Sequence, residues 1–310
     1  MMFLYIIQDA DLAKLAKKTI PQVMVINWRY VRMKTGFAAI YWRDMIKFSR
    51  NRALLFSALI QPVLWLVLYG ISMSSNINIF FANTSAPSGT VSVSYMTFMT
   101  AGVVGMTILF TCLYSGQNIQ FDKQYGLMKE IVVSPMPRSQ ILLGETLGGI
   151  TKSLIQAAIV ILFGYVLGIQ FFFGLTVIGT LTSIGGVLLF AVLFSMSLMF
   201  LSSAIAMKVK DHNVSQAIIT LLTLPLFFAS NALYPLDSLP TVLKVAAYLN
   251  PLTHFINGMR YFGISSNFYS FGIHYATSIN DLLISLGFLA GFGIVMFLLA
   301  LRAFYMTIEF

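Results

Sequence analysis

Six long apolar segments, separated by short polar connections, dominate this chain of 310 residues. Of its residues 58% are hydrophobic and only 9% are charged, and the mean hydropathy is +0.85. A helix needs about 20 mainly apolar residues to cross the hydrocarbon core of a bilayer. We therefore expect an all-α polytopic membrane protein with six transmembrane helices. The predicted spans are Leu54–Met73, Tyr95–Tyr114, Ile150–Ile169, Leu175–Met207, Val214–Leu233 and Leu282–Leu301.

A polar island at residues 121–145 interrupts the apolar pattern between the second and third predicted spans. A charge at the bilayer centre costs about 2.5–3.5 kcal/mol, and the island carries several charges, so it must leave the membrane. Pro135 and Pro137 bias the residues before them away from the α-helical conformation. We expect a short helix, a break at 134–137 and the start of another helix. Composition alone fits two interpretations, an ordinary inter-helix loop or a kinked element that a partner pushes.

Residues 35–53 show helical periodicity with two different faces. A helix with one apolar and aromatic face and one basic face lies in the membrane interface. The alternative is an amphipathic helix packed on a soluble domain. We expect a cytoplasmic arm at 1–34, an interface helix at 35–53 and a transmembrane domain at 54–310. The apolar face consists of Phe37, Tyr41, Met45 and Phe48, and the basic face of Arg43, Lys47 and Arg50.

The distribution of Lys and Arg predicts the orientation of the chain. Sixteen of the 19 basic residues fall in segments assigned to one side of the membrane, and only Lys244 and Arg260 fall in those assigned to the other. Cytoplasmic segments collect positive charge, so both termini are expected in the cytoplasm of a cell whose plasma or inner membrane holds the protein. The same bias explains the net charge of +9 without nucleic acid. Lys152 lies near the inner end of the third span, where its side chain can snorkel.

A second informative stretch, residues 231–262, contains two half-length helices rather than a span. Asp237 or Ser238 can cap a short helix that starts near Pro240. Asn250 ends this helix, and Pro251 opens the next. Because each helix is half as long as a span, we expect re-entrant helices at 238–262 that dip into the outer leaflet and return. The alternative is two helices that lie flat on the outer surface.

The sequence lacks the residues that several classes of transporter and enzyme require. The six apolar segments contain no Asp or Glu, whereas proton-coupled carriers place an ionisable acid inside the membrane. There is no HExxH motif and no GxxxxGK[ST] motif; the run 148–153 lacks the Gly-Lys step. Three scattered histidines and the single Cys112 indicate neither a catalytic site nor a metal site. We expect no enzymatic activity and no ATP binding by this chain itself.

Two blocks of residues resemble the type-2 ABC export permeases. The first block is Phe121-Asp122-Lys123, Gly126-Leu127-Met128-Lys129-Glu130, Ser134-Pro135, Arg138 and Ile141-Leu142-Leu143-Gly144. The second is Leu233-Tyr234-Pro235-Leu236, Leu239-Pro240, Leu249-Asn250-Pro251-Leu252-Thr253 and Arg260-Tyr261. With the six-span pattern the resemblance covers roughly residues 35–305, and it leaves the arm at 1–34 unassigned.

The resemblance implies a coupling helix at 121–140 that docks on a separate ATP-binding subunit, and an outer gate formed by the half-helices. It implies two ATPase copies, which hold ATP and Mg, and a second permease copy as a homodimer or similar heterodimer in the lipid membrane. Glu130 and Arg138 are expected to anchor the coupling helix, with Asp122 and Lys123 near the ATPase surface. The implied coupling residues are Phe121, Asp122, Lys123, Gly126, Glu130, Ser134, Pro135 and Arg138. The implied gate residues are Tyr234, Pro235, Leu236, Pro240, Asn250, Pro251 and Arg260. Because the family's dimer seam involves the first and fifth spans, the implied pathway residues are Gln61, Trp65, Phe227 and Phe228.

By this resemblance the chain is expected to move a lipophilic drug-like or lipid-linked substrate out of the cytoplasm. A polysaccharide or glycolipid exporter of the same architecture is the first alternative. An ATP-independent channel, or a scaffold that docks a soluble partner through 121–145, is the second.

Two glycine pairs, Gly102 with Gly105 and Gly144 with Gly148, have spacings that allow helix backbones to approach closely.

Overall fold

The computed structural model describes residues 36–80, 91–128, 131, 137–174, 176–236, 239–270 and 272–307. The predictions made for the arm at 1–34, for Glu130, and for Ser134 and Pro135 lie outside these residues. The same holds for Asp237 and Ser238, the predicted caps of the first half-helix.

Helices account for most of the described chain. The amphipathic stretch forms α1, Gly36–Arg50. The first apolar segment forms α2, Arg52–Leu64, a π-helix, Trp65–Gly70, and α3, Ile71–Phe80. The later helices are α4 Tyr95–Ser115, α5 Asn118–Gln124, α6 Arg138–Val166, α7 Val177–Lys208, α8 His212–Phe228, α9 Thr241–Tyr248, α10 Pro251–Gly263 and α11 Ile279–Thr307.

Five helical segments in the described chain are long and apolar enough to cross a membrane. They confirm the predicted fold class of a helical polytopic membrane protein. The fifth predicted span, Val214–Leu233, differs, because α8 has 17 residues and ends at Phe228. At about 1.5 Å per residue it is some 26 Å long, against a hydrocarbon core of about 30 Å. Six spans therefore remain a prediction. The five segments are Ala58–Ile77, Tyr95–Gln124, Arg138–Val166, Val177–Lys208 and Ile279–Met306.

Helix α4 is the centre of the bundle, and its side chains are buried along most of its length. It packs against α6, α7 and α10. Glycines permit the closest approaches. A Cβ atom at Gly105 would lie 2.7 Å from Leu252 Cδ1, and one at Gly102 would lie 2.7 Å from the Cα atom of Ala232. The predicted close packing at this glycine pair is confirmed.

Helix α1 packs against the second glycine pair, Gly144 and Gly148. A Cβ atom at Gly144 would lie 2.8 Å from the backbone oxygen of Phe37, and one at Gly148 would overlap the Asp44 carboxylate. Small residues on α6 therefore let α1 pack directly on that helix. A separate apolar cluster at this end contains Ile40, Met128, Leu142 and Phe304. It joins α1, α6 and α11 beneath the segment that the sequence analysis singled out.

A three-stranded sheet was not expected from the sequence. Its strands are β1 Val91–Ser92, β2 Asn267–Ser270 and β3 Ile273–Ala276. The sheet has the order β1-β2-β3, with β1 parallel and β3 antiparallel to β2. Two- and four-residue strands leave almost no periodic signal, and β1 pairs with a segment more than 170 residues away in sequence, Val91 opposite Phe268.

Candidate functional site

The short helix α5 and the turn after it contain the first part of the predicted coupling segment. Gly126 ends this part with φ +78°, a left-handed conformation that side chains disfavour, and no atom lies within 4 Å of a Cβ built there. The sequence therefore needs glycine for the backbone turn itself. Glycine at this position lets the chain turn sharply after α5. We call α5 and this turn, residues 118–126, the knuckle.

Arg43 of α1 binds two buried carboxylates. Its Nη2 atom donates to Asp122 Oδ2 at 2.6 Å and to Glu145 Oε1 at 2.7 Å. Asp122 is 2% exposed and Glu145 is 3% exposed, so each carboxylate needs this cation. Lys47 Nζ adds a longer contact of 3.4 Å to Asp122 Oδ1. Burial alone would lower the pKa of Arg43, but the charges of Glu145 and Asp122 outweigh it and raise the pKa.

A second ion pair lies one residue further along α1. Lys152 Nζ lies 2.7 Å from Asp44 Oδ2 and 3.0 Å from Oδ1. Asn118 of α5 donates to the same carboxylate at 3.3 Å. Lys152 is only 6% exposed, so the expectation that it snorkels towards water is wrong. The Asp44 carboxylate already lies within reach and keeps the ammonium group inside the protein.

Lys123 holds α5 to the end of α7. Its Nζ atom donates to the backbone oxygens of Ala206, Met207 and Val209 at 3.0, 2.8 and 3.1 Å. An ammonium group at a helix C-terminus satisfies free carbonyls and complements the helix dipole. Asp122 and Lys123 were expected near the ATPase surface, and the structure places the charged atoms of both inside the protein instead. These two residues fasten the coupling segment to the bundle.

Arg138 makes a comparable anchor at the start of α6. Its Nη1 atom donates to the backbone oxygen of Tyr305 at 3.2 Å, and its guanidinium lies 5.1 Å from the centre of the Tyr305 ring. The contact ties α6 to the end of α11. The predicted anchoring of Arg138 thus has a defined partner within the chain.

The outer surface of the coupling segment is apolar and aromatic. Tyr125 is 72% exposed, Leu127 41% and Phe121 40%. The rings of Phe121 and Tyr125 stack at 6.5 Å, and Phe121 also lies 4.3 Å from the ring of His212. Exposed apolar and aromatic patches of this kind mark contact sites for proteins or for the membrane.

The predicted gate residues hold the half-helices against the end of α8. Asn250 caps α10 through the backbone N–H of Leu252 at 3.0 Å, and its Nδ2 atom donates to the backbone oxygens of Leu226 and Ala229 at 2.6 and 2.8 Å. Pro251 is the first residue of α10, and α9 follows directly after Pro240. Of the other gate residues, Tyr234 donates its hydroxyl proton to Phe228 O, Pro235 is buried and Leu236 is half-buried.

Arg260 is buried inside α10 and binds backbone rather than a carboxylate. Its Nη2 atom donates to Asn231 O at 2.8 Å, and its guanidinium lies 3.5 Å above the centre of the Phe98 ring. Helix α10 is buried on most sides, whereas α9 exposes Val242, Val245 and Tyr248. The two half-helices therefore differ, one built into the bundle and one lying on it.

Three of the four predicted pathway residues form one aromatic cluster. The ring of Trp65 lies 5.6 Å from that of Phe227 and 6.3 Å from that of Phe228. Phe227 is 1% exposed and Phe228 is 44% exposed, so only the second faces outwards. Gln61 is exposed one helical turn before Trp65. Trp65 also begins the π-helix, a distortion that occurs often at functional sites.

Comparison with known proteins agrees with this geometry. The sequence profile described as ABC-2 type transporter matches residues 35–262, which is most of the chain. The chain belongs to the ABC-2 type transporter family. It is a membrane permease component of an ABC transporter, and membership of this family implies association with an ABC ATP-binding subunit.

Individual members of the ABC-2 type transporter family resemble the chain over the same region. Transport permease ycf38 of Porphyra purpurea is 29% identical over 228 residues, which is 72% of each chain. Inner membrane transport permease YadH of Escherichia coli K12 is 24% identical over 72% of this chain and 80% of its own length. Daunorubicin resistance ABC transporter permease protein DrrB1 of Streptomyces coeruleorubidus is 20% identical over 71% of each chain.

Sequence reasoning missed the acidic and basic partners of the predicted coupling segment. Asp44, Glu145 and Lys152 were not identified as site residues. One signal was present, because Glu145 and Lys152 are seven residues apart and so lie on one face of α6, with Gly148 between them. Two opposite charges on an otherwise apolar helix face need partners from another helix. Among the described residues, no three His, Cys, Asp or Glu side chains are arranged to hold a metal ion.

Proposed function

We propose that this chain is the membrane subunit of an ATP-driven exporter that moves a lipophilic drug-like or lipid-linked substrate out of the cytoplasm. Two copies of a separate ATP-binding subunit, which hold ATP and Mg, would drive two permease copies. The name of DrrB1 connects that relative with resistance to daunorubicin. By this likeness a lipophilic compound is the preferred cargo class.

The observation that carries the proposal is the way in which α5 is fastened. Asp122 binds Arg43 of α1, Lys123 binds the end of α7, and Asn118 binds Asp44 of α1. The outer surface of the same segment remains exposed and apolar at Tyr125 and Leu127. A force applied to this surface is therefore passed to several helices through charged contacts, and the Asp122 carboxylate among them is buried.

The proposed orientation, in which α5 faces the cytoplasm, rests on the distribution of positive charge. Arg43, Lys47 and Lys123 all lie at the end of the bundle that carries the knuckle, and positively charged segments favour the cytoplasm. An ATPase that binds ATP there would push α5 from the cytoplasm. At the other end, Asn250 and Arg260 hold the half-helices to the residues after α8. Release of substrate would require these hydrogen bonds to rearrange.

Replacement of both exposed side chains, Tyr125→Ala with Leu127→Ala, is expected to weaken binding of the ATPase about tenfold or more, because buried aromatic anchors dominate interface energies. The measurement is the amount of ATPase that co-purifies with the full chain, together with substrate-stimulated ATP hydrolysis. Tyr248→Ala is the matched control, since Tyr248 is also exposed (52%) but lies on α9. Wild-type amounts of ATPase on the double variant would contradict the proposed docking surface.

Glu130→Ala is expected to lower transport-coupled ATP hydrolysis while leaving membrane insertion intact. The expectation rests on the sequence motif, in which this acid follows Gly126 at the coupling helix. Stimulated hydrolysis in the purified complex is the measurement, and membrane fractionation is its control. Normal stimulation of the variant would remove Glu130 from the coupling role.

The two alternatives to drug or lipid export predict different results in the same hydrolysis and purification experiments. Stimulation of hydrolysis by lipid-linked glycans, but not by hydrophobic drugs, would favour a polysaccharide or glycolipid exporter. Purification of the working protein without any nucleotide-binding partner would favour an ATP-independent channel or a scaffold.

A further inference from the structure

A chamber of about 770 Å³ opens beside the ion-pair cluster, and the predicted pathway residue Gln61 is among the residues that line it. Its walls come from α1, α2, α4, α5, α6 and α8. Phe110 and Tyr114 supply an aromatic part of the lining, and Lys47 and Arg50 supply two cations. Carboxamide groups, among them Gln117 and Gln156, complete the lining. The volume lies in the range of sites for drug-sized ligands, about 300–1,000 Å³.

Gln117 shows that the polar lining of this chamber is incomplete. The residue is 3% exposed, yet neither Nε2 nor Oε1 of its side chain has a hydrogen-bond partner in the described part of the chain. Buried polar side chains are bonded in the large majority of cases. Gln156, which is equally buried, has its Oε1 atom bonded by the Thr111 hydroxyl. Both atoms are closed to solvent, so Gln117 would bond a ligand in the chamber after its side chain turns towards it.

The chamber carries an excess of positive charge. Asp44, its single lining carboxylate, is paired with Lys152. Lys47 Nζ lies 3.4 Å from Oδ1 of Asp122, which is not a lining residue. Arg50 is exposed and makes no ion pair with any residue that the structure describes. A guanidinium group binds carboxylate and phosphate oxygens through paired charge-assisted hydrogen bonds. The chamber is therefore suited to an anionic group.

An apolar groove of about 740 Å³ adjoins the chamber between α1, α2 and α6. Trp42, Phe56 and Ile155 line it, and Phe48 lines both the groove and the chamber. The two volumes therefore meet at the Phe48 side chain. A molecule with one apolar and one anionic end would match the two surfaces at once.

We propose that the chamber and the groove together bind the cargo, an amphiphile whose anionic head lies near Arg50 and Gln117 and whose apolar body lies along Trp42 and Phe56. The inference rests on the proposed export function and narrows its substrate class to anionic amphiphiles. Phe48 separates the two ends of the ligand. Bilayer phospholipid is the competing occupant, and competition by phosphatidylglycerol tests for it.

The test is equilibrium binding of radiolabelled dodecyl phosphate to the full-length chain in phosphatidylcholine nanodiscs, with empty nanodiscs subtracted. Wild-type protein is expected to bind saturably, and dodecyltrimethylammonium, which has the same tail and a positive head, is expected not to compete. Arg50→Gln should weaken binding about tenfold. Arg302→Gln is the matched control, because Arg302 is exposed on α11 and lies outside the chamber.

Gln117→Leu provides a second readout that a structural role would not give. Binding of dodecyl phosphate should weaken about fivefold, while the melting temperature of the protein stays the same or rises because an unbonded buried amide is removed. A fall in melting temperature without a change in binding would assign Gln117 to packing and overturn its role in the site.

Three results would overturn the proposal: equal affinities for Arg50→Gln and Arg302→Gln, equal competition by the cationic amphiphile, or full competition by phosphatidylglycerol, which would make the chamber a lipid site. The assay contains no ATPase. Failure here would leave the docking surface at Tyr125 untouched, and failure of ATPase docking would leave this binding measurement valid.

Discussion

Replacing Arg43 with alanine is expected to lower the free energy of unfolding by about 3 kcal/mol, since removal of one partner from a buried ion pair leaves an uncompensated charge. Arg43 is the cation nearest to two buried carboxylates, Asp122 and Glu145. The value is at the lower end of the usual range because 30% of the Arg43 side chain is exposed and Lys47 still reaches Asp122. Thermal denaturation of the purified protein in detergent, followed by intrinsic fluorescence, measures the change.

The functional consequence of Arg43→Ala should exceed its effect on stability. Without the guanidinium, only the longer Lys47–Asp122 contact and the Asn118–Asp44 hydrogen bond still join α5 to α1. ATPase that still binds at Tyr125 would then move α5 with much less effect on the spans. We expect co-purification of the ATPase to persist and substrate-stimulated hydrolysis to be lost. This pattern differs from that of the Tyr125→Ala, Leu127→Ala double variant, in which the ATPase itself dissociates.

The controls for Arg43→Ala come from the same cluster and helix. Arg50→Ala removes the same side chain from α1 at an exposed position, and it should change stability by less than about 0.5 kcal/mol. The triple change Arg43→Ala, Asp122→Asn, Glu145→Gln removes the charges together and should recover part of the lost stability. A stability of Arg43→Ala equal to that of Arg50→Ala would show that the cluster contributes nothing.

The sequence singled out the predicted coupling segment, but it did not reveal how that segment is held. Polar residues between apolar runs are visible in a single chain, because a charge cannot remain in hydrocarbon. The partners of Asp122 and Glu145 are not visible, because Arg43 lies 79 and 102 residues away from them in sequence. A local pattern contains no information about which distant side chain neutralises a charge. For this reason Asp122 was expected near the ATPase surface, whereas its side chain is buried in the bundle.

The same limit explains the helix boundaries. The third span was expected to begin at Ile150, after the last charged residues of the island, whereas α6 begins at Arg138. Glu145 and Lys152 are compatible with a continuous helix because Arg43 and Asp44 neutralise them. The end of α8 was missed for a local reason. Pro225 lies three residues before the helix ends, and the carbonyls beyond it bond to Asn250 instead of continuing the helix.

The two ends of the bundle are stabilised by different interactions. At the knuckle, charges on α1, α5 and α6 are paired inside the protein. At the half-helices, Asn250 and Arg260 bond to backbone carbonyls of the chain after α8. Central helix α4 contacts both regions, because it leads directly to α5 at one end and packs on α10 at the other. A displacement of α5 therefore has a continuous protein route to the predicted gate.

Gly102 is the position on α4 at which this route is tightest, and Gly102→Ala is expected to destabilise the protein by about 1–3 kcal/mol or more. A Cβ atom there would lie 2.7 and 2.8 Å from the Cα and C atoms of Ala232, and closer still to its carbonyl oxygen. These are backbone atoms, so no side-chain rotation relieves the overlap. The Ala232 oxygen also lies 3.4 Å from Arg260 Nη2, so a shift of this segment disturbs the buried arginine.

Substitutions at two further glycines provide a comparison for the loss of stability expected of Gly102→Ala. Gly105→Ala meets the flexible end of Leu252 at 2.7 Å and should cost less than Gly102→Ala, whereas Gly185→Ala on α7 meets no atom within 4 Å and should be neutral or slightly stabilising. The melting temperatures should therefore fall in the order Gly185→Ala, Gly105→Ala, Gly102→Ala. ATPase co-purification should survive in all three variants, because the change lies far along α4 from Tyr125. A Gly102→Ala protein as stable as the Gly185→Ala protein would show that α4 and the residues after α8 are not in contact, and the proposed route from coupling helix to gate would lose its central step.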